Sequence, residues 1–214
     1  MEEKEIAYQI TNTYSTMNKL TSKTKNVWLV CHGIGFLSRY FINYFDELNP
    51  EENYIIAPQA SSKYYLKNEY KHVGASWLTK ENTKAEIKNV MANLNAIYYA
   101  EQIPADVKFF VLGFSQGVSV AMRWVSRFKI PCDKLIIYAG SIPTELTPND
   151  FAFINPKKTK VLNIVGLQDE YLTEERMQQE HEKMQLLFGD NYTFKTFQGT
   201  HRVSKTAIKM LTES

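Results

Sequence analysis

The stretch "VLGFSQGVSVAMRWV" (111–125) decides how this chain is read. An apolar run, "VKFFVLG" (107–113), leads into a Gly-Phe-Ser-Gln-Gly turn. The segment after it, 116–128, carries Val120, Ala121, Trp124, Val125 and Phe128 three and four residues apart, one stripe of a helix with 3.6 residues per turn. A strand, a G-x-S-x-G turn and an amphipathic helix form a nucleophile elbow, in which a strained serine projects its oxygen above the sheet. Gly113 and Gly117, two residues either side of Ser115, let neighbouring backbones pass without a Cβ clash.

Working outward, apolar runs of strand length alternate with helical periodicity. "VWLVC" (27–31), "YIIAP" (54–58), "KLIIYAG" (134–140) and "KVLNIVG" (160–166) are apolar on both alternating faces, as strands covered by helices on both sides must be. "YTFKTFQG" (192–199) alternates more, as an outer strand does. Helical spacing appears over 36–48, 80–102, 173–189 and 203–213. This alternation predicts an α/β protein with a mostly parallel central sheet and helices on both faces. "EIAYQITNTYSTM" (5–17), followed by the polar "NKLTSKTKN", reads as an antiparallel edge strand forming a hairpin with the next strand. The 59–77 stretch fits neither pattern, and a loop of that length is usually functional.

Composition sets the limits. The 214 residues suit one domain, 1–214, burying roughly 70% of the unfolded surface. Lys and Arg number 25 against 23 Asp and Glu, an ordinary balance that implies no nucleic-acid partner. The acidic N-terminus lacks the apolar core of a signal peptide, and no stretch approaches the ~20 apolar residues of a bilayer span, so a cytoplasmic protein without stable membrane insertion is expected. Cys31 and Cys132 have neither metal-ligand nor disulfide-framework spacing and read as reduced structural thiols. No metal and no cofactor is called for.

A serine hydroxyl needs a base, and the base needs an orienting acid. After an elbow these follow in the order Ser, Asp or Glu, His. Of four histidines, His32 and His72 precede Ser115, and His181 lies mid-helix in a Glu-rich stretch. His201, in the post-strand "FQGTHRV", is the candidate base. Asp169 in "GLQDEYL" directly follows a strand and is the candidate acid, with Glu170 its nearest rival; an N-cap role before "TEERMQ" is the competing reading. Backbone N–H groups of Gln116, at a helix N-terminus, and Ile34, after the His32–Gly33 turn, are the natural donors to an oxyanion. His32 itself reads as a scaffold residue of that turn.

"CHGIG", "GFSQG", "GLQDEYL", "GTHRV" and "GASW" (74–77) together resemble the blocks of the phospholipase/carboxylesterase and acyl-protein thioesterase group of α/β-hydrolases, over about residues 27 to 203. The resemblance implies the α/β-hydrolase fold, a Ser115–Asp169–His201 triad, oxyanion donors Ile34 and Gln116, and hydrolysis of esters or thioesters of small to medium acyl groups. Three departures stand out: Phe36 where an acidic residue is common, Val118 where a second glycine is common, and Thr200 between Gly199 and His201. The acyl pocket is expected to be walled by the 59–79 loop with Trp77, by Ile142 in "SIPTEL" (141–146), and by Leu172. The partner is a small-molecule ester or thioester substrate. Amide cleavage by the same triad, a hydrolase-fold binding protein with a misaligned triad, and pairing into a homodimer stay open.

Overall fold

The computed structural model describes residues 1–67, 69–171 and 173–212. In chain order its elements are β1 (Tyr14–Met17), β2 (Asn26–Cys31), α1 (Ser38–Phe41), β3 (Asn53–Pro58), β4 (Ser62–Leu66), β5 (His72–Ser76), α2 (Thr83–Ala100), β6 (Lys108–Phe114), α3 (Gln116–Phe128), β7 (Lys134–Tyr138), β8 (Lys160–Gly166), α4 (Glu174–Phe188), β9 (Tyr192–Phe197) and α5 (Lys205–Met210). Seven strands form one sheet in the order β1-β3-β2-β6-β7-β8-β9, with β1 antiparallel and every other pairing parallel.

The alternation of side chains along each strand divides the core in two. Val27, Leu29 and Cys31 of β2 and Phe109 and Val111 of β6 pack with α2, α3 and α4 through Met91, Leu94, Trp124 and Met184. Trp28, Val30, Phe110 and Leu112 face the other way, against Phe41, Phe45, Ile208 and Leu211 around α1 and α5. Strands buried on both faces are therefore apolar at successive positions, and β2 and β7 have no exposed residue. β9 at the edge has no buried residue, as an outer strand does, but its exposure does not alternate strictly, since Thr193 and Phe194 are both exposed.

Three segments differ from expectation. β1 is an antiparallel edge strand, but it pairs with β3 (Tyr14 opposite Pro58) and makes no hairpin with β2. The reason is that β2 is occupied on both sides, by β3 and β6, so at this end of the sheet a further strand pairs with the far edge of β3. The strand is also short, since residues 5–13 take no regular structure. Residues 59–77 are not one irregular loop: β4 and β5 pair as an antiparallel ribbon, Ser62 opposite Ser76. The 36–48 helix is α1 followed by a 3₁₀ turn over Ile42–Phe45.

Neighbouring strands β2 and β6 are followed by connections that lead to opposite sides, β2 toward β3 and β6 toward β7. A crevice opens at the carboxyl ends of the strands where the order reverses in this way. The segments that follow β2, β6, β7, β8 and β9 all emerge at that edge.

Candidate active site

Ser115 connects β6 to α3 with φ 52° and ψ −120°, a conformation that costs a non-glycine residue about 1–3 kcal/mol. Its surroundings impose it. The Ser115 N–H donates to Tyr138 O (2.9 Å) on β7, and its C=O accepts from Val118 N–H (3.0 Å) in the first turn of α3. A Cβ on Gly117 would stand 2.1 Å from Cys31 O, and one on Gly113 would stand 2.5 Å from Gly117 O. Only glycine at both positions lets the start of α3 lie directly on the ends of β2 and β6. Val118 is 1% exposed, and a Cβ on Gly140 would meet its Cγ2 at 2.5 Å. The valine that follows the elbow thus fills the space left by a third glycine.

His201 reaches Ser115 from the β9–α5 loop, its Nε2 lying 3.0 Å from Ser115 Oγ. Its Nδ1 lies 2.7 Å from Asp169 Oδ2. Asp169 has no exposed side-chain surface, and its Oδ1 accepts the Tyr171 N–H at 3.0 Å. A carboxylate only accepts, so the proton of a neutral His201 sits on Nδ1 and Nε2 is left to accept from the serine hydroxyl. The two loops are tied together: Leu167 N–H donates to Phe197 O (2.9 Å) and Gln168 N–H to Gly199 O (2.9 Å). Glu170, the rival acid, accepts the backbone N–H of His201 at 3.2 Å instead. The cap of α4 is Thr173, not Asp169. The imidazole packs against Phe114 (5.2 Å between ring centroids) and meets Tyr171 at its edge (4.8 Å). Tyr138 Oη supports the same loop, donating to Arg202 O and accepting from Ser204 N–H.

The second loop of the site follows β2. His32 is fully buried; its Nδ1–H donates to Gly33 O (2.7 Å), and its Nε2 accepts the Ala60 N–H (3.2 Å). Burial pushes its pKa down to about 4, so the ring is neutral and acts as a spacer under the loop. Gly35, at φ +83°, donates its N–H to Ala75 O of β5 (2.8 Å). The Ile34 and Gln116 amides donate to no acceptor among the described residues.

Sequence reasoning missed the role of the Gln116 side chain. Its Oε1 accepts the Trp77 N–H (2.8 Å), and its Nε2 donates to Leu78 O (2.7 Å) and Ser76 Oγ (3.0 Å). One residue therefore presents a free backbone N–H at the crevice and fastens the end of β5 to the start of α3.

The crevice holds a cleft of about 500 Å³ lined by Ser115 and His201 together with Ile34, Phe36, Phe114, Ser119, Ser141, Tyr171 and Arg176. Two of the expected wall residues lie elsewhere. Trp77 is 1% exposed because β5 carries it beneath the β2 loop, where its indole N–H donates to His32 O (2.7 Å) and its ring packs on His32. Ile142 is buried with its N–H donated to Glu180 (3.0 Å), and Ser141 is the residue of that loop that lines the cleft. Leu172 lies outside the described residues. Three side chains of α4 explain the placement of the 141–146 loop: Arg176 donates to Ser141 Oγ, Glu180 accepts from Ile142 N–H, and Lys183 donates to Thr144 O and Leu146 O. The three project from one face of the helix.

Cys31 and Cys132 are buried free thiols, and burial raises both, Cys132 to about 12. Among the described residues no helix is long and apolar enough to cross a membrane. No cluster of three or more His, Cys, Asp or Glu among them is placed to hold a metal ion.

The model of the phospholipase/carboxylesterase family matches residues 12–214. Among solved structures, acyl-protein thioesterase 2 from Zea mays is similar at 16% identity and TM-score 0.69, over 95% of this chain and 97% of that one. A phospholipase/carboxylesterase from Dyadobacter fermentans is similar at 20% identity and TM-score 0.64, over 97% and 98%. A Bacillus cereus carboxylesterase is similar at 13% identity and TM-score 0.66, over 94% and 92%. No curated protein sequence matches.

Proposed function

The chain belongs to the phospholipase/carboxylesterase family of hydrolases, and on that premise we propose that it is a serine hydrolase acting on carboxylic esters or thioesters through an acyl-enzyme. Ser115 Oγ attacks the acyl carbonyl as His201 Nε2 takes its proton. Asp169, hydrogen-bonded to Nδ1–H, holds the imidazole in the required tautomer and stabilises the imidazolium. The oxyanion of the tetrahedral intermediate is received by the Ile34 and Gln116 N–H groups, the latter at the positive end of α3; one such donor is worth about 10²–10³ in rate. Collapse expels the alcohol or thiol, which takes the proton from His201. Water activated by the same nitrogen then releases the acid and restores Ser115.

The observation that carries this reading is the unbroken relay from Asp169 Oδ2 through His201 to Ser115 Oγ, 2.7 Å and 3.0 Å, opening on a cleft. A binding protein with a decayed triad would have no need of the strained serine that the relay requires. The test is labelling by a fluorophosphonate probe. Wild type is expected to be labelled at neutral pH and Ser115→Ala is not; absence of labelling in wild type rejects the proposal. A panel of p-nitrophenyl acetate, butyrate and octanoate, an acyl thioester and a peptide amide separates esterase, thioesterase and peptidase action.

A further inference from the structure

Arg176 is the feature of the cleft that the proposed chemistry does not use. Its guanidinium is fixed on the cleft lining by two hydrogen bonds, Nη1–H to Tyr171 O (2.9 Å) and Nη2–H to Ser141 Oγ. Both acceptors are neutral. A guanidinium has five N–H donors and a full charge, and a carbonyl and a hydroxyl satisfy two of the donors and none of the charge. No described carboxylate lies within 4.0 Å of it, although α4 is rich in glutamate. No Asp or Glu among the described residues lines the cleft.

The position also runs against local electrostatics. Arg176 is in the first turn of α4, where the helix dipole favours an anion over a cation. Glu174 and Glu175 occupy the same turn, yet neither pairs with it. The N-terminus of α3 faces the same cleft through Gln116 and Ser119. Two sources of positive potential therefore converge on a cavity with no Asp or Glu among its described lining residues.

Tyr171, whose carbonyl holds Arg176, also touches His201 with its ring at 4.8 Å, so the guanidinium stands about one side chain from the base. We propose that Arg176 is a specificity-determining residue that selects esters or thioesters carrying an anionic group, a carboxylate or a phosphate, a short distance from the scissile carbonyl. The inference rests on the hydrolase reading above and narrows its substrate class.

The experiment compares charged and neutral esters of matched length. One arm sets p-nitrophenyl hydrogen glutarate against p-nitrophenyl valerate, and the other sets 1-butyrylglycerol 3-phosphate against 1-butyrylglycerol. Wild type is expected to favour the anionic member of at least one pair by about tenfold or more in kcat/KM, chiefly through KM, and the preference should shrink with added salt. The favoured arm identifies carboxylate or phosphate. In Arg176→Gln the anionic-to-neutral ratio should fall about tenfold, whatever happens to the neutral ester, and Arg176→Lys should recover part of it. A ratio at or below one in both pairs, or one that Arg176→Gln leaves unchanged, overturns the inference while fluorophosphonate labelling and neutral-ester turnover leave the hydrolase reading standing. Absence of labelling and of all turnover overturns both.

Discussion

His32 should make stability fall steeply with acid, and the window can be worked from its environment. Its Nε2 accepts from the Ala60 N–H while Nδ1–H is committed to Gly33 O, so protonation turns the acceptor into a second donor pointing at an N–H. Burial adds its own penalty, and the pKa drops from 6.5 to about 4. Between those values the unfolded chain binds the proton and the native state does not, so this contribution is complete above pH 6.5, is lost as pH falls, and is exhausted below pH 4. The total is about 3 kcal/mol, of which roughly 2 kcal/mol goes between pH 7 and pH 5.

The assay is urea unfolding at pH 7 and pH 5, followed by far-ultraviolet circular dichroism, for wild type and His32→Asn. Asparagine keeps a donor near the Nδ1 position and removes the titration. The variant is less stable at pH 7, since Ala60 loses its acceptor, but the gap between the two proteins should narrow by about 2 kcal/mol at pH 5. A gap independent of pH refutes the reasoning. So does a His32 ring resonance in wild type that titrates with a midpoint near 6.5. Ile34 sits two residues beyond His32, so esterase activity should fall over the same acid range before global unfolding.

Three further outcomes are expected. Asp169→Asn should lower kcat on p-nitrophenyl butyrate by about 10⁴ with little change in KM, because the amide offers its N–H to Nδ1 and stabilises the wrong tautomer. Gly117→Ala places a methyl group 2.1 Å from Cys31 O and should cost about 3 kcal/mol or more in urea unfolding, whereas Gly189→Ala, at φ +56° with nothing within 4 Å, should cost only about 1–2 kcal/mol. Gln116→Ala leaves the Trp77 N–H without its acceptor and Leu78 O with Ser76 Oγ as its remaining donor, and should lower stability by about 1–3 kcal/mol; unchanged stability would show that the end of β5 is held by other contacts.

The parts of this molecule that were legible in its sequence are those whose cause is local. α3 was read as 116–128 and is found there, because its stripe of Val120, Ala121, Trp124 and Val125 is a property of one segment; Phe128, the last helical residue, is 37% exposed. The order Ser115, Asp169, His201 was legible for a related reason. Each follows a strand of a parallel sheet, and such strands all deliver their carboxyl ends to one edge, so sequence order became spatial proximity without any knowledge of side-chain packing.

The walls of the cleft obey a different rule. Trp77 and Ile142 were expected there from the loops that carry them, yet large apolar side chains are the first to be drawn into a core, and both are buried. What remains at the surface of the crevice is the residue next to the buried one. Ser141 lines the cleft beside Ile142, and the backbone of β5 beside Trp77 anchors Gly35 through Ala75 O. Arg176 was passed over because charged helix residues are ordinarily solvated, and nothing within "TEERM" distinguishes it from its neighbours. Its significance comes from Ser141 and Tyr171, residues on two loops that follow different strands, which meet only after the sheet has formed. The candidate triad is thus brought together by topology, whereas the residues that line the cleft around it are left at the surface by the packing of larger side chains, a competition that a single segment of sequence does not record.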